Sequence, residues 1–271
     1  MIVRPHLLLD AALTASAISL GATWGFGLPL AAVTAGTIAL HTWASVNPRA
    51  GYYLRLHWRL PVGEAGHALT FDDGPHPEHT PAILDLLAAH GGRATFFLVG
   101  AHVLRHRALV RRIRAEGHAL GLHSENHSRW FNCWPPGPVR ADLVANRAAI
   151  ADATGEAPPA LFRPPVGLKN PLVAHVVGEL GLVPVTWSAR GWDTRGASAE
   201  RIAARIIAAA TPRAIVLLHD GHEPAHPGSR AATVAALAMA LPRLPTPSRA
   251  LTATSSGGIA TLAPAPVRRV G

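Results

Sequence analysis

Ala68-Leu69-Thr70-Phe71-Asp72-Asp73-Gly74-Pro75 reads as a short apolar strand that runs into two adjacent carboxylates and then a turn. Four later segments repeat this design, an apolar strand followed at once by chemically active residues. Leu120 to His123 leads into Ser124-Glu125-Asn126-His127, and Leu161-Phe162 into Arg163-Pro164-Pro165-Val166-Gly167. Leu182 to Trp187 leads into Ser188-Ala189-Arg190-Gly191-Trp192-Asp193-Thr194, and Ile215 to Leu218 into His219-Asp220-Gly221. Ala94 to Val99 is a further strand. Between strands lie helical stretches: Thr80 to Gly91, Leu109 to Glu116, Val139 to Thr154, Pro171 to Leu180, Ser198 to Ala210 and Arg230 to Leu241. Several open on proline and close on glycine, as helices prefer. The alternation predicts an α/β fold with a parallel sheet, doubly wound or closed toward a barrel. Such folds carry their chemistry at the C-terminal ends of the strands, where these blocks fall.

Composition narrows the partners. The 271 residues are 49% hydrophobic and only 15% charged, which excludes a disordered chain. The net charge is +9, and Lys169 is the sole lysine among the 25 cations. No run of Lys and Arg exceeds two and aromatics are 6%, so nucleic acid is not the expected partner. The charge suits anionic lipid or a phosphorylated substrate instead. Cys133 stands alone, so no intrachain disulfide or cysteine cluster can form, and any metal site draws on His and carboxylates.

The N-terminal region differs from the rest. Ala11 to Val46 contains no Asp, Glu, Lys or Arg. As one helix it would be about 54 Å long, beyond a hydrocarbon core of about 30 Å. Gly25, Gly27 and Pro29 interrupt it, which predicts an apolar hairpin of two spans, Leu7 to Trp24 and Leu28 to Val46. Trp24 and Trp43 are placed as interfacial anchors, and Asp10 weakens the first span. Arg4 before the hairpin and Arg49, Arg55 and Arg59 after it put the main domain in the cytoplasm of a bacterial inner membrane. A single signal anchor exporting the domain, a signal peptide cut near Ala15-Ser16-Ala17, or hydrophobic helices of a soluble protein are the alternatives. The expected organisation is a membrane-anchoring segment 1–60, a catalytic domain 61–245 and a Pro/Ser/Thr/Ala-rich tail 246–271 holding at most one weak strand.

The strand-end blocks suggest a shared reaction. Asp72 and Asp73 repel each other unless something binds between them, which divides them into a metal ligand and a base acting on water. His123 and His127, four apart, can face one ion if the segment turns helically. One Asp and two His form a facial set that leaves positions open. Arg163, aimed by Pro164-Pro165, would hold Asp72 in place and charged. His219 ends the last strand, where an acid for a leaving group can sit.

TFDDGP, HSENH, RPPVG and LLHD, in this order, resemble the motifs of the polysaccharide deacetylase family, carbohydrate esterase family 4, over about Ala68 to Gly221. The resemblance implies a distorted, incomplete (β/α) barrel that removes N- or O-acetyl groups from sugars with a divalent metal. Zinc leads the candidates, ahead of cobalt, nickel and manganese. It implies Asp72 as base, Asp73, His123 and His127 as metal ligands, Arg163 orienting Asp72, His219 as acid and Asp193 behind it. Leu218, Pro165, Val166, Trp192, Thr194 and Arg190 would form the substrate wall. The family usually has Trp where Thr194 stands and often an aromatic at Val166. The expected substrate is therefore an acetylated aminosugar glycan or a lipid-linked sugar whose phosphate meets Arg190, Arg195 or Lys169. A chitin- or peptidoglycan-type polymer outside the membrane is the alternative, and a non-catalytic glycan- or lipid-binding protein is a third reading.

Overall fold

The computed structural model describes residues 27–225 and 228–262, with scattered helical positions between 12 and 22. The elements are α1 (Gly27–Val46), β1 (Ala68–Gly74), α2 (His79–Ala89), β2 (Ala94–Leu98), α3 (Gly100–Arg105), α4 (Arg107–Ala115) and β3 (Ala119–Leu122). There follow α5 (Pro136–Thr154), β4 (Leu161–Phe162), α6 (Pro171–Glu179), β5 (Val183–Pro184), β6 (Ala189–Arg190), α7 (Ala199–Ala209), β7 (Ile215–His219) and α8 (Ala231–Ala240). A hairpin of β8 (Ala250–Ala253) and β9 (Ile259–Leu262) completes the described chain.

β1 to β7 form one parallel sheet in the order β5-β4-β3-β2-β1-β7-β6. It curls but does not close, because the edge strands β5 and β6 do not pair with each other. The segment before β1 crosses that opening: His57 bridges Val185 and Arg59 bridges Ala214. The result is the distorted, incomplete (β/α) barrel that the strand-end motifs imply.

Strand alternation sorts side chains between two cores. Leu69, Phe71, Phe96, Leu98, Val216 and Leu218 face outward into the layer beneath the helices. Ala68, Phe97, Ile215 and Leu217 face inward and pack with Leu60, Val185 and Trp187. Both faces are covered, which is why β1, β2 and β7 read as nearly continuous apolar runs. On β1 the inward set continues through Thr70 to Asp72, so the barrel interior opens upward onto the paired carboxylates Asp72 and Asp73.

Three expectations need correction. Leu182 to Trp187 is not one strand but the short β5, followed after a break by β6. The carbonyls of Val185 and Thr186 are taken by the Arg163 side chain and leave the ladder. The segment after Pro245 holds two strands rather than one. Leu251 and Ile259 enter the inner core, and the Leu251 amide donates to Thr95 Oγ1 at 2.8 Å, so the hairpin covers the end of the barrel opposite Asp72 and Asp73. Residues 263–271 lie outside the described part.

The expected span Leu7 to Trp24 also lies outside the continuously described residues. The second coincides with α1, but no helix among the described residues is long and apolar enough to cross a membrane. Pro29, Thr34, Thr37, His41, Thr42 and Ser45 dilute the apolar run, and the last turn of α1 is bound to the domain. Ala44 packs with Tyr53 and Ala174, and His41 Nδ1 lies 2.6 Å from the Tyr53 hydroxyl.

Candidate active site

Asp72 and Asp73 are neighbours on a strand, and regular pleating would send them to opposite faces. A bulge prevents this. In the β1–β2 register Asp72 pairs with Phe97 and Gly74 with Leu98, leaving Asp73 as an extra residue with φ 69°. Both carboxylates therefore line one cleft of about 600 Å³. Gly74 follows because a Cβ there would strike the buried carboxylate of Asp220.

His123 and His127 join Asp73 without the helical turn expected of them. Their loop is a tight bend with positive φ at Ser124 and His127, closed by the His127 amide donating to Ser124 Oγ at 2.9 Å. Asp142 Oδ1 receives the Glu125 amide and pins the loop to α5. His123 Nε2 and His127 Nε2 come within 3.4 and 3.3 Å of Asp73 Oδ1. His123 Nδ1 donates to the Arg163 carbonyl at 2.8 Å, which fixes the tautomer and turns Nε2 toward Asp73. Two of the three donor residues, Asp73 and His127, hold left-handed backbone, strain of the kind that gathers at functional sites.

Arg163 is wholly buried and donates to Asp72 Oδ1 at 2.7 Å and Thr70 Oγ1 at 2.8 Å. Its other nitrogens reach the Val185 and Thr186 carbonyls, and its guanidinium lies 4.1 Å from the Phe97 ring centre. Asp72 Oδ1 is thus occupied, while its Oδ2 stays on the ligand side, 3.7 Å from His123 Nε2. Across the cleft, His219 Nδ1 donates to Asp193 Oδ1 at 3.0 Å, and Asp193 Oδ2 accepts from Thr233 Oγ1 at 3.0 Å. Burial alone would lower the imidazole, but the Asp193 charge and hydrogen bond outweigh it and push His219 up to about 9. Burial by itself would raise Asp73, yet the adjacent His123, His127 and His219 imidazoles hold it well below the usual carboxylate range.

The substrate wall departs from expectation. Leu217, not Leu218, lines the cleft; Leu218 packs outward beneath the helices. Alternation decides this, since Leu217 and His219 share a face. Pro165 is buried and does not line the cleft, whereas Val166, Gly167, Arg190 and Thr194 do. Trp192 is not a lining residue either. Its ring lies between the guanidinia of Arg190 and Arg195, at 4.6 and 4.8 Å. Trp187 supplies the aromatic wall instead, 5.1 Å from Arg190. Arg129, Arg195, Glu223 and Arg230 complete the rim. Asp220, quoted in the sequence beside His219 but given no role there, is fully buried; it accepts from Thr80 Oγ1 at 2.5 Å, and burial pushes its carboxyl up to about 7. Its position after a strand-end histidine was the one available signal.

Comparison with known proteins agrees with this geometry. The family model described as polysaccharide deacetylase matches residues 60–185. A chitooligosaccharide deacetylase of Bradyrhizobium sp. (strain ANU 289) is 38% identical over 182 residues, covering 65% of this chain and 83% of that protein. The chain belongs to the polysaccharide deacetylase family. Another relative, the peptidoglycan-N-acetylglucosamine deacetylase of Bacillus cereus, is 38% identical over 191 residues, 69% of this chain and 85% of that protein. Among solved structures, a peptidoglycan N-acetylglucosamine deacetylase bound to an N-oxidanyl-benzamide superposes with TM-score 0.63 at 32% identity, covering 70% of this chain and 86% of that one. A family 4 carbohydrate esterase from Streptomyces lividans, in complex with acetate, gives TM-score 0.61 at 27% identity, covering 74% and 98%.

Polysaccharide deacetylases depend on a metal, and the residues here fit one. Donor atoms of Asp73, His123 and His127 all lie within 4.8 Å of one another, and all three residues are buried. Asp73 Oδ1, between the two imidazoles, is buried without a hydrogen-bond partner. A buried anionic oxygen with no donor is costly unless a cation meets it.

Proposed function

We propose that this chain is a metal-dependent hydrolase that removes N-acetyl groups from an acetylated aminosugar glycan. The observation that carries it is the pairing of two adjacent carboxylates with different surroundings: Asp73 Oδ1 bare between two imidazoles, Asp72 clamped by Arg163. Asp73, His123 and His127 would hold the ion. When bound, a divalent cation supplies a Lewis acid for the acyl oxygen and for water. Asp72 takes the proton of the attacking water through Oδ2, its direction held by the Arg163 bond to Oδ1. His219, protonated and oriented by Asp193, gives a proton to the departing amine. Leu217 and Trp187 offer an apolar seat for the acetyl methyl. Acetate release from an acetylated chitin tetramer, abolished by chelation and restored by added metal, tests the reading. No acetate from the tetramer, from peptidoglycan fragments or from a phosphorylated acetyl-aminosugar would sink it.

Zinc is the proposed ion, with cobalt, nickel or manganese as substitutes, because a carboxylate with two imidazoles suits all four. The finer proposal for substrate is a lipid-linked sugar carrying phosphate. Arg190 and Arg195 stand at the cleft with an indole between them and without an ion-pair partner among the described residues. A guanidinium forms two hydrogen bonds to phosphate that a neutral polymer cannot exploit. The same reading attaches the chain to a bacterial inner membrane through its uncharged N-terminal region. The flanking arginines favour a cytoplasmic domain, and an extracytoplasmic domain acting on wall glycan is the alternative.

A further inference from the structure

Lys169, the chain's sole lysine, is 1% exposed and does not line the cleft, so it is not placed to meet a substrate phosphate as expected of it. Its Nζ donates to the Asn47 carbonyl at 2.7 Å and the Ser45 carbonyl at 3.1 Å. No carboxylate pairs with it among the described residues. Burying an ammonium away from water is expensive, and here its return is two carbonyls at the C-terminal end of α1, where a helix presents unpaired acceptors and partial negative charge. Two further bonds follow in the same stretch: Thr186 Oγ1 donates to the Pro48 carbonyl at 2.5 Å, and Arg49 to the Ser188 carbonyl at 2.8 Å.

Both ends of this fastening matter. Lys169 sits three residues after Val166, which lines the cleft, and on the segment that begins with Arg163, which clamps Asp72. Thr186 and Ser188 flank Trp187, whose ring packs against Gly167 where the two segments meet in the cleft wall. At the other end, α1 leaves the domain almost bare: Leu30, Ile38, Trp43 and Val46 are 54%, 62%, 51% and 56% exposed. The helix has no Asp, Glu, Lys or Arg, and the uncharged sequence extends back to Ala11, whereas Arg49, Arg55 and Arg59 follow at its exit. An apolar rod with arginines at its base matches a lipid surface with anionic headgroups.

We propose that Lys169 is a positioning residue that locks α1 to the walls of the catalytic cleft, so that a bilayer holding α1 presents the cleft to glycans tethered in the same bilayer. This rests on the lipid-linked reading above. A compact ammonium fits between two carbonyls that a planar guanidinium would not fit in the same way.

The test uses the full chain with vesicles of phosphatidylethanolamine and phosphatidylglycerol. Turnover is compared on two probes, an acetylated chitin tetramer in solution and an N-acetylglucosaminyl phospholipid in the vesicle. Lys169→Met should keep kcat/KM on the tetramer within about twofold and raise KM for the tethered sugar at least tenfold. Lys169→Arg should fall between. Thr186→Val, which removes a parallel fastening without a buried charge, should act in the same direction if Lys169→Met folds poorly. Equal loss on both probes, or no loss on either, overturns the proposal. If the wild type floats with vesicles but ignores the tethered sugar, or does not float, the lipid-linked reading falls and takes this inference with it. If the wild type cleaves the tethered sugar and both Lys169→Met and Thr186→Val do so equally well, only the inference falls.

Discussion

Asp193 grips His219 at two points: Oδ1 accepts from the ring Nδ1 at 3.0 Å, and Oδ2 accepts from the His219 backbone amide at 2.8 Å. One carboxylate thereby sets where the imidazole is, which way it faces and how firmly it keeps its proton. Deep burial would make the ring a weaker base, and the adjoining negative charge wins.

This relation predicts a pH profile. His219, raised to about 9, remains protonated through neutrality, so activity should decline on an alkaline limb near that pH. Asp193→Asn removes the charge and should draw the limb down toward the ordinary imidazole value of about 6.5. The same pairing stabilises the fold. Because the folded value lies above the unfolded one, the contribution is complete below about 6.5 and fades as pH rises through about 9. Rate profiles and thermal melts of both forms across this range check the two statements. An unmoved limb would remove His219 as the acid.

The two neighbouring carboxylates should separate cleanly. Asp73→Ala, His123→Ala and His127→Ala each delete a ligand and should weaken metal binding by about 100-fold or more, read by titration calorimetry. Asp72→Asn should retain the metal and lose about 10²- to 10⁴-fold in turnover. Asparagine preserves the acceptor for Arg163 but cannot take a proton. Wild-type turnover in that variant would show that another group is the base.

Leu217 and Leu218 offer a test of the strand alternation. Leu218→Ala hollows the outer core and should cost about 2–5 kcal/mol of stability, with kcat/KM of the folded enzyme nearly unchanged. Leu217→Ala opens the cleft and should raise the ratio of propanoyl to acetyl turnover as well as lowering the melting temperature. A changed acyl preference in the Leu218 variant alone would reverse the assignment.

The two arginines around Trp192 should discriminate between substrates. Arg190→Ala and Arg195→Ala are each expected to reduce kcat/KM for a phosphorylated acetyl-aminosugar by about tenfold, and to change that for the neutral tetramer by less than about threefold. Steady-state kinetics on the two substrates suffice. A preference of the wild type for the tetramer, unaffected by these variants, would favour a wall-type glycan.

Much of this protein was legible in one dimension. The alternation of apolar runs with proline-opened, glycine-closed helices determined a parallel α/β sheet, because strands covered on both faces must be apolar throughout. The motifs at the strand ends picked out the residues that line the cleft, Asp72, Asp73, His123, His127 and His219 among them, since a carboxylate or imidazole at the end of a buried strand has few places open to it. Folding alone decided how those residues meet. Asp72 and Asp73 share a cleft through a bulge with left-handed backbone, and His123 and His127 converge through a strained loop rather than a helical turn. Leu217 displaced Leu218, and Trp187 displaced Trp192, because facing depends on register and on which ring the arginines capture. The bond from Lys169 to Asn47 spans 122 positions, and no local pattern records it. Local propensity and hydrophobic period act over a few residues, whereas a wall of the cleft is built from segments that only the closed sheet brings side by side.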